Sequence, residues 1–308
     1  MKIFRSIEAF QQSKNPVVTT GTFDGVHLGH RKIISRMNEI ARKIEGESVL
    51  LTFDPHPRMV LYPEDHGLQL LTTLDEKVAL LEEAGINNLI VHPFTREFSR
   101  ITSIDFVRNI LVNQLGTNRL VIGYDHHFGR NREGSFEHLK EFGPLYGFEV
   151  EEIPAEELED VSISSTKIRQ ALDQGDVVTA NSYLGSDYRL SGFVIEGNKL
   201  GRQLGFPTAN IRIDDTNKLI PANGVYAVLT MVNGQSFKGM LNIGHRPTVN
   251  ALQTRTIEVH IFDFEGDLYG KTIELHFKER IRDEQKFEDL QALQQQLELD
   301  KLQSLHLL

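Results

Sequence analysis

Apolar and polar positions along the chain follow two different rhythms, and the change between them divides the sequence. From Pro16 to Ile153, short apolar runs alternate with helical spacing. Pro16-Val17-Val18-Thr19-Thr20, Ser48-Val49-Leu50-Leu51-Thr52-Phe53, Asn88-Leu89-Ile90-Val91, Arg119-Leu120-Val121-Ile122-Gly123 and Phe148 to Ile153 have the length and apolar density of buried strands. Between the first two, Ile33, Ile34, Met37, Ile40, Ala41 and Ile44 recur as one helix face, with Arg31, Lys32, Arg36, Arg42 and Lys43 on the other positions. Further helices are expected over Asp75 to Ala84, over Ser103 to Leu115 with Thr102 or Ser103 as cap, and near Glu137 to Tyr146. Strands joined by helical crossovers predict an α/β domain with a parallel sheet covered on both faces. Ligands of such sheets bind at the carboxyl ends of the strands.

After a helical pattern at Asp176 to Tyr183 the rhythm changes. Leu184-Gly185-Ser186-Asp187-Tyr188-Arg189 is polar and turn-prone, which places the expected boundary after Leu184 and gives domains 1–184 and 185–308. Beyond it, Leu190 to Ile195, Ala209 to Ile213, Gly224 to Val232, Ser236 to Asn242, Thr256 to Phe264 and Lys271 to Phe277 read as strands. The turns Asn233-Gly234 and Glu265-Gly266-Asp267 signal antiparallel hairpins, and strands in this number suggest a small closed barrel. Phe287 to Leu308 reads as a terminal helix, with Leu290, Leu293, Leu297, Leu302 and Leu305 as its packing stripe.

Composition narrows the class. The chain has 308 residues, no cysteine and a net charge of -10. Disulfides and cysteine-ligated metals are excluded, and a reducing cytoplasm is the expected location. No apolar run approaches membrane-spanning length, so no membrane association is expected. The charge is -8 up to Leu184 and -2 after it, so neither half carries the basic excess of a nucleic-acid module. Self-association is compatible with this composition.

The first candidate site is Gly21-Thr-Phe-Asp-Gly-Val-His27-Leu-Gly-His30, a glycine-bearing turn between strand and helix. Free amides at the helix start favour a phosphate. Two histidines alone are a poor metal site, lacking a third ligand. Their remaining chemistry is electrostatic: imidazoles donate to a phosphate whose charge grows during nucleotidyl transfer, while Gly29 permits close backbone approach. Phe53-Asp54-Pro55-His56-Pro57 is a stiff strand exit. Ser164-Ser165-Thr166-Lys167-Ile168-Arg169 combines hydroxyls, a helix start and a guanidinium one turn on, a set suited to phosphates.

The second candidate site is Gly197 to Asn210, whose glycines Gly197, Gly201 and Gly205 precede a strand. Thr208 and Asn210 are two apart and share a strand face, offering neutral oxygens to magnesium. Glu258 is the candidate base for an alcohol acceptor; His260 shares its face and is the alternative.

These motifs carry a resemblance. The His-x-Gly-His turn is similar to the signature of a nucleotidyltransferase superfamily. Its Gly-Thr-Phe-Asp-Gly-Val-His form, with Phe53 to Pro57 and Ser164 to Arg169, resembles bacterial FAD synthetases. Pro207-Thr208-Ala209-Asn210, Gly224-Val225-Tyr226, Asn242-Ile243-Gly244, Glu258 to Phe264 and Asp267-Leu268-Tyr269-Gly270 resemble riboflavin kinases. The resemblance implies a Rossmann-like adenylyltransferase domain followed by a kinase barrel. It also implies phosphorylation of riboflavin to FMN, then adenylyl transfer from ATP to FMN, giving FAD and pyrophosphate, with Mg2+.

In the first domain the resemblance assigns ATP to Gly21, Phe23, His27, His30, Ser164, Ser165, Thr166 and Arg169, and flavin to Asp125. In the second it assigns ATP to Gly201, Gly205, Thr208 and Asn210, the metal to Thr208 and Asn210, the base to Glu258, and flavin to Arg282. His126 stands where the family pattern Gly-x-Asp-Phe-x-Phe-Gly has an aromatic. Two other readings stay open here: a chain with one working activity, adenylyl transfer being the weakened step, or a flavin or nucleotide sensor without turnover.

Overall fold

A computed structural model describes residues 1–64, 67–123, 127–154, 163–197, 200–246 and 254–308. The chain divides into two compact units, Met1–Leu68 with Leu74–Ser164, and Gln69–Thr73 with Ser165–Leu308.

In the first unit six strands form one sheet: β1 (Lys2–Phe4), β2 (Val17–Thr20), β3 (Ser48–Asp54), β4 (Asn88–Pro93), β5 (Arg119–Gly123) and β6 (Glu149–Ile153). Their order is β1-β4-β3-β2-β5-β6, and each pairing is parallel. Strand alternation sorts the core into two layers. Val18, Val49, Leu51, Ile90 and Leu120 face one side, and Val17, Leu50, Leu89, Val91 and Val121 face the other. The helix Leu28–Lys43 adds Ile34, Met37, Ile40 and Ala41 to the second layer, beside Leu80 and Leu81 of the helix Leu74–Glu83. Each fully buried aliphatic side chain contributes about 2 kcal/mol of transfer free energy.

The opposite layer is covered by Val107, Ile110 and Leu111. Their helix is capped by Thr102, whose hydroxyl accepts from the Asp105 amide at 3.1 Å, and it widens to π winding over Phe106–Gln114. Sequence order runs from β2 outward through β3 and β4 on one side, and through β5 on the other. The switch point therefore lies between β2 and β5, and the Gly21 to His30 turn leaves β2 beside it. The short strand β1 has too few residues to leave a periodic signal.

In the second unit, β7 (Tyr188–Ile195), β8 (Ala209–Arg212), β9 (Gly224–Val232), β10 (Gln235–Arg246), β11 (Thr254–Ile261) and β12 (Thr272–Arg282) close into a barrel of order β10-β11-β8-β7-β12-β9. Its pairings are antiparallel. Ile211, Leu241, Ile243, Ile257 and Val259 are buried on one face of β8, β10 and β11. The helix Leu290–Leu307 covers the other face, its Leu293 and Leu297 packing on Met240 and Phe262.

The expected leucine stripe holds only in part. Leu290 and Leu302 are exposed, while Asp300 and Ser304 are buried. A five-residue step from Leu297 to Leu302 rotates the side chain by roughly 140° around the helix. The inward row is therefore Leu293, Leu297, Asp300 and Ser304.

The units also divide earlier than the boundary expected after Leu184. The helices Ser165–Asp173 and Val177–Leu184 pack with the barrel. Asn181 is one reason: its amide donates to the Phe277 carbonyl at 2.8 Å and accepts from the Tyr188 amide at 2.7 Å. Gln69–Thr73 joins the same unit through main-chain bonds of Leu70 to Asn217 and Leu219, and through Lys218, which donates to the Leu71 carbonyl at 2.6 Å. Among the described residues no helix is long and apolar enough to cross a membrane.

Candidate active sites

In the first unit the site grows from the carboxyl end of β2. Phe23 (φ 48°) and Val26 (φ 41°) both lie in the left-handed region, uncommon for any side chain and strained for a β-branched one. Burial of both side chains holds them there. The turn delivers His27 as the cap of the helix Leu28–Lys43: its Nδ1 accepts from the His30 amide at 3.4 Å. An imidazole accepting at Nδ1 carries its proton on Nε2.

The His27 and His30 rings stack with centroids 3.7 Å apart and planes 16° apart, and Phe23 lies 4.7 Å from His30 on its centroid. Burial, then His27, then Lys77 push the His30 pKa well below the ordinary histidine value. His30 is thus a neutral imidazole at neutral pH, and its Nδ1 is buried without a hydrogen-bond partner among the described residues. A neutral imidazole keeps one N–H and can serve as a hydrogen-bond donor.

Lys77 escapes a reading by pattern. On the helix Leu74–Glu83 it looks like one more polar position, yet it is buried and its Nζ donates to the Thr22 carbonyl at 3.0 Å. Its signal in the sequence is weak, since a single lysine between Glu76 and Val78 fits a solvated face equally well.

Of the other residues assigned here, Gly21 and Phe23 belong to the turn itself, and Gly21 is bonded to β3 through its amide and the Leu51 carbonyl. Ser164 ends the first unit, whereas Ser165, Thr166 and Arg169 open a helix of the second. In that unit the Arg169 Nε donates to the Gln69 carbonyl at 2.7 Å. Asp125, with Tyr124 and His126, lies outside the described residues. A polar cavity of about 380 Å³ beside Lys2, Lys14, Glu47 and Asn88 sits at the amino ends of the strands, away from the histidine turn.

In the second unit a cavity of about 340 Å³ opens on the outer wall of the barrel, under the terminal helix. Glu258 and Asn242 line it as part of one cross-strand row. Glu258 on β11 pairs directly with Asn210 on β8 and with Asn242 on β10, so all three side chains share one face. Thr208, just before β8, brings its hydroxyl to 3.4 Å from the Glu258 carboxylate. Glu258 and His260 do share a face as expected, and it is the cavity face rather than solvent.

His260 is committed elsewhere. Its Nδ1 lies 2.7 Å from the Pro207 carbonyl, an oxygen that can only accept, so that nitrogen holds the proton. Burial, the largest influence, lowers its pKa. The ring thereby anchors the Pro207-Thr208 segment. Gly201 and Thr208 line the cavity. A Cβ at Gly201 would sit 2.3 Å from the Phe206 carbonyl, and Gly205 has φ +84°, so each glycine has a geometric reason. A Cβ at Gly197 would meet the Asn210 amide at 2.0 Å.

Arg282 reaches the same cavity, but its guanidinium forks onto Asp300 of the terminal helix, with Nε and a terminal nitrogen 2.9 and 2.7 Å from the two carboxylate oxygens. Asn242 was named in the sequence only as part of a motif, and its place opposite Glu258 comes from strand register.

Residues 9–167 match the FAD synthetase family and residues 184–308 match the riboflavin kinase family. The chain is 36% identical to a bifunctional riboflavin kinase/FMN adenylyltransferase of Pseudomonas fluorescens, over 97% of this chain and 96% of that one. Relatives of the same description in Escherichia coli strain K12 (37%, covering 98% of this chain and 96% of that one) and Listeria monocytogenes (39%, covering 93% and 90%) also align. A crystal structure described as a macrolide-efflux protein of Streptococcus pneumoniae matches with a TM-score of 0.89 and 32% identity, over 98% of this chain and 97% of that one. With both halves matched in order, and relatives aligned over nearly its full length, this chain belongs to the family of bifunctional riboflavin kinase/FMN adenylyltransferases.

Proposed function

We propose that the two reactions of this family are divided between the two sites described above. Riboflavin is phosphorylated on the outer wall of the barrel. There Glu258 accepts the proton of the ribityl hydroxyl as the oxygen–γ-phosphorus bond forms and the bond to ADP breaks. His260 holds Pro207 and so sets the position of Thr208. Thr208 and Asn210 present hard neutral oxygens beside a carboxylate, a donor set that fits magnesium. When bound, magnesium supplies neutralisation of charge on the transferring phosphoryl oxygens.

FMN is adenylylated at the His27 to His30 turn of the first unit. A phosphate oxygen of FMN attacks the α-phosphorus of ATP, the bond from that phosphorus to the bridging oxygen breaks, and pyrophosphate leaves. His27 and His30 donate to phosphate oxygens from a preorganised cap, with no covalent protein intermediate. Gly21 and Phe23 shape the turn. Ser164 of the same unit adds a hydroxyl to the phosphate site, and Asp125 contacts the flavin. The enzyme works in the cytoplasm on small molecules, without nucleic acid.

The observation that carries the kinase assignment is the cross-strand row Asn210, Glu258 and Asn242, of which Glu258 and Asn242 line the cavity. The test is Glu258→Gln. Given riboflavin, ATP and magnesium it is expected to form no FMN; given FMN and ATP it forms FAD at the parent rate. FMN formation at the parent rate removes the base from Glu258.

A further inference from the structure

We propose that Lys77 is a positioning residue of the adenylyl-transfer centre: its buried ammonium, fastened to the Thr22 carbonyl beside the His27 and His30 pair, supplies the fixed positive potential against which the departing pyrophosphate charge develops. This rests on the reading of that turn as the nucleotide site.

Lysine is seldom buried without a compensating partner, because removing an ammonium from water is costly. Lys77 is only 8% exposed, and the hydrogen bond at its Nζ goes to a neutral carbonyl. Holding that carbonyl does not require a charge. The Thr52 hydroxyl reaches the same Thr22 oxygen at 3.1 Å. The clamp by itself therefore does not call for a cation at this place.

The groups around it show what the charge does. Asp24, itself buried, and Asp54 act on Lys77 electrostatically and favour its charged form, against burial, which lowers its pKa from the ordinary lysine value. On the other side the ammonium acts on His30, adding to burial and to His27 in keeping that imidazole neutral. The labour is thus divided. The stacked imidazoles contribute oriented N–H donors, whereas Lys77 contributes a fixed positive charge, set beside the Asp24 and Asp54 carboxylates in a site of low dielectric. Placing the charge on a buried amine, fastened to the Thr22 carbonyl, avoids reorganisation when the phosphates arrive.

The experiment measures FAD formation from FMN and ATP by the full-length protein carrying Lys77→Met, Lys77→Gln, Thr52→Val or His30→Ala, with thermal unfolding of each. Lys77→Gln keeps a donor for the Thr22 carbonyl and discards the charge. Both Lys77 variants are expected to lower kcat about 100-fold, with the KM for FMN within about twofold of the parent and unfolding no earlier than the parent. Thr52→Val, which weakens the clamp alone, stays within about threefold of the parent kcat.

A loss in Thr52→Val equal to that in Lys77→Met, or parent kcat in Lys77→Gln, overturns the proposal. His30→Ala separates it from the reading beneath it. If His30→Ala still forms FAD, the turn is not the transfer centre and both fall. If His30→Ala is inactive while the Lys77 variants keep the parent kcat, only the role of Lys77 falls.

Discussion

Glu258 and Asn210 stand directly opposite one another on neighbouring antiparallel strands, and the register that pairs them also sets Asn242 on the far side of Glu258. The nearest constraint on this row is Gly197, since a Cβ there would overlap the Asn210 amide at 2.0 Å. Gly197→Ala therefore displaces Asn210. The expected result is a fall of tenfold or more, about 1.4 kcal/mol in the barrier, in FMN formation from riboflavin. FAD formation from supplied FMN stays at the parent rate. Separate rate measurements with the two flavin substrates check this.

The proposed metal position yields a second test. Thr208→Val keeps the shape of the side chain and removes its oxygen. Its magnesium requirement for FMN formation should rise about tenfold, with little change when magnesium saturates, and EDTA should stop FMN formation by the parent. A magnesium titration in which the variant and parent coincide places the cation elsewhere.

Much of this architecture is visible in the sequence, and the exceptions have physical causes. The parallel sheet and the barrel are legible because strand and helix periods differ and their crossovers repeat; Val17/Val18 and Leu50/Leu51 even divide between the two core layers as alternation requires. His27 and His30 are legible because their spacing fixes them at one helix start. Lys77 is not, since the pattern of its helix says nothing about which polar residue turns inward. Asn242 is not, because register across strands is set by long-range pairing. The terminal helix misleads because leucines at Leu290 and Leu302 imitate a stripe, while Asp300 occupies the inward row and is stabilised there by Arg282.

That pair makes a third prediction. Asp300 is 1% exposed and takes a two-pronged bond from Arg282, with a further bond from Gln296 at 2.9 Å. Asp300→Ala leaves a half-buried guanidinium without its partner and is expected to cost about 3 kcal/mol. Replacing both, Arg282→Met with Asp300→Leu, recovers most of that stability. Urea unfolding of the single and double variants measures the difference.

A fourth concerns pH. His276 on β12 lies between Glu274 and Asp187, and although burial opposes its charge, the Asp187 carboxylate 3.8 Å away and a hydrogen bond to Glu274 prevail and raise its pKa to about 9. A folded-state pKa above the unfolded value means that the native protein binds the extra proton. The stabilisation is therefore complete below pH of about 6.5 and disappears as pH rises through about 9. His276→Gln should lower the unfolding temperature at pH 6 to 7 and match the parent above pH of about 10. Thermal melts across this range decide it, and a deficit that persists unchanged at high pH assigns the effect to packing.

The central claim is that two chemically distinct phosphorus transfers occur at separable sites, one centred on Glu258 and the other on His30. It is tested most directly by supplying riboflavin, ATP and magnesium to His30→Ala, to Glu258→Gln and to an equimolar mixture of the two, and resolving the flavins by chromatography. The account predicts that His30→Ala stops at FMN, that Glu258→Gln leaves riboflavin unchanged, and that the mixture forms FAD. FAD from either variant alone, or loss of FMN formation in His30→Ala, contradicts it.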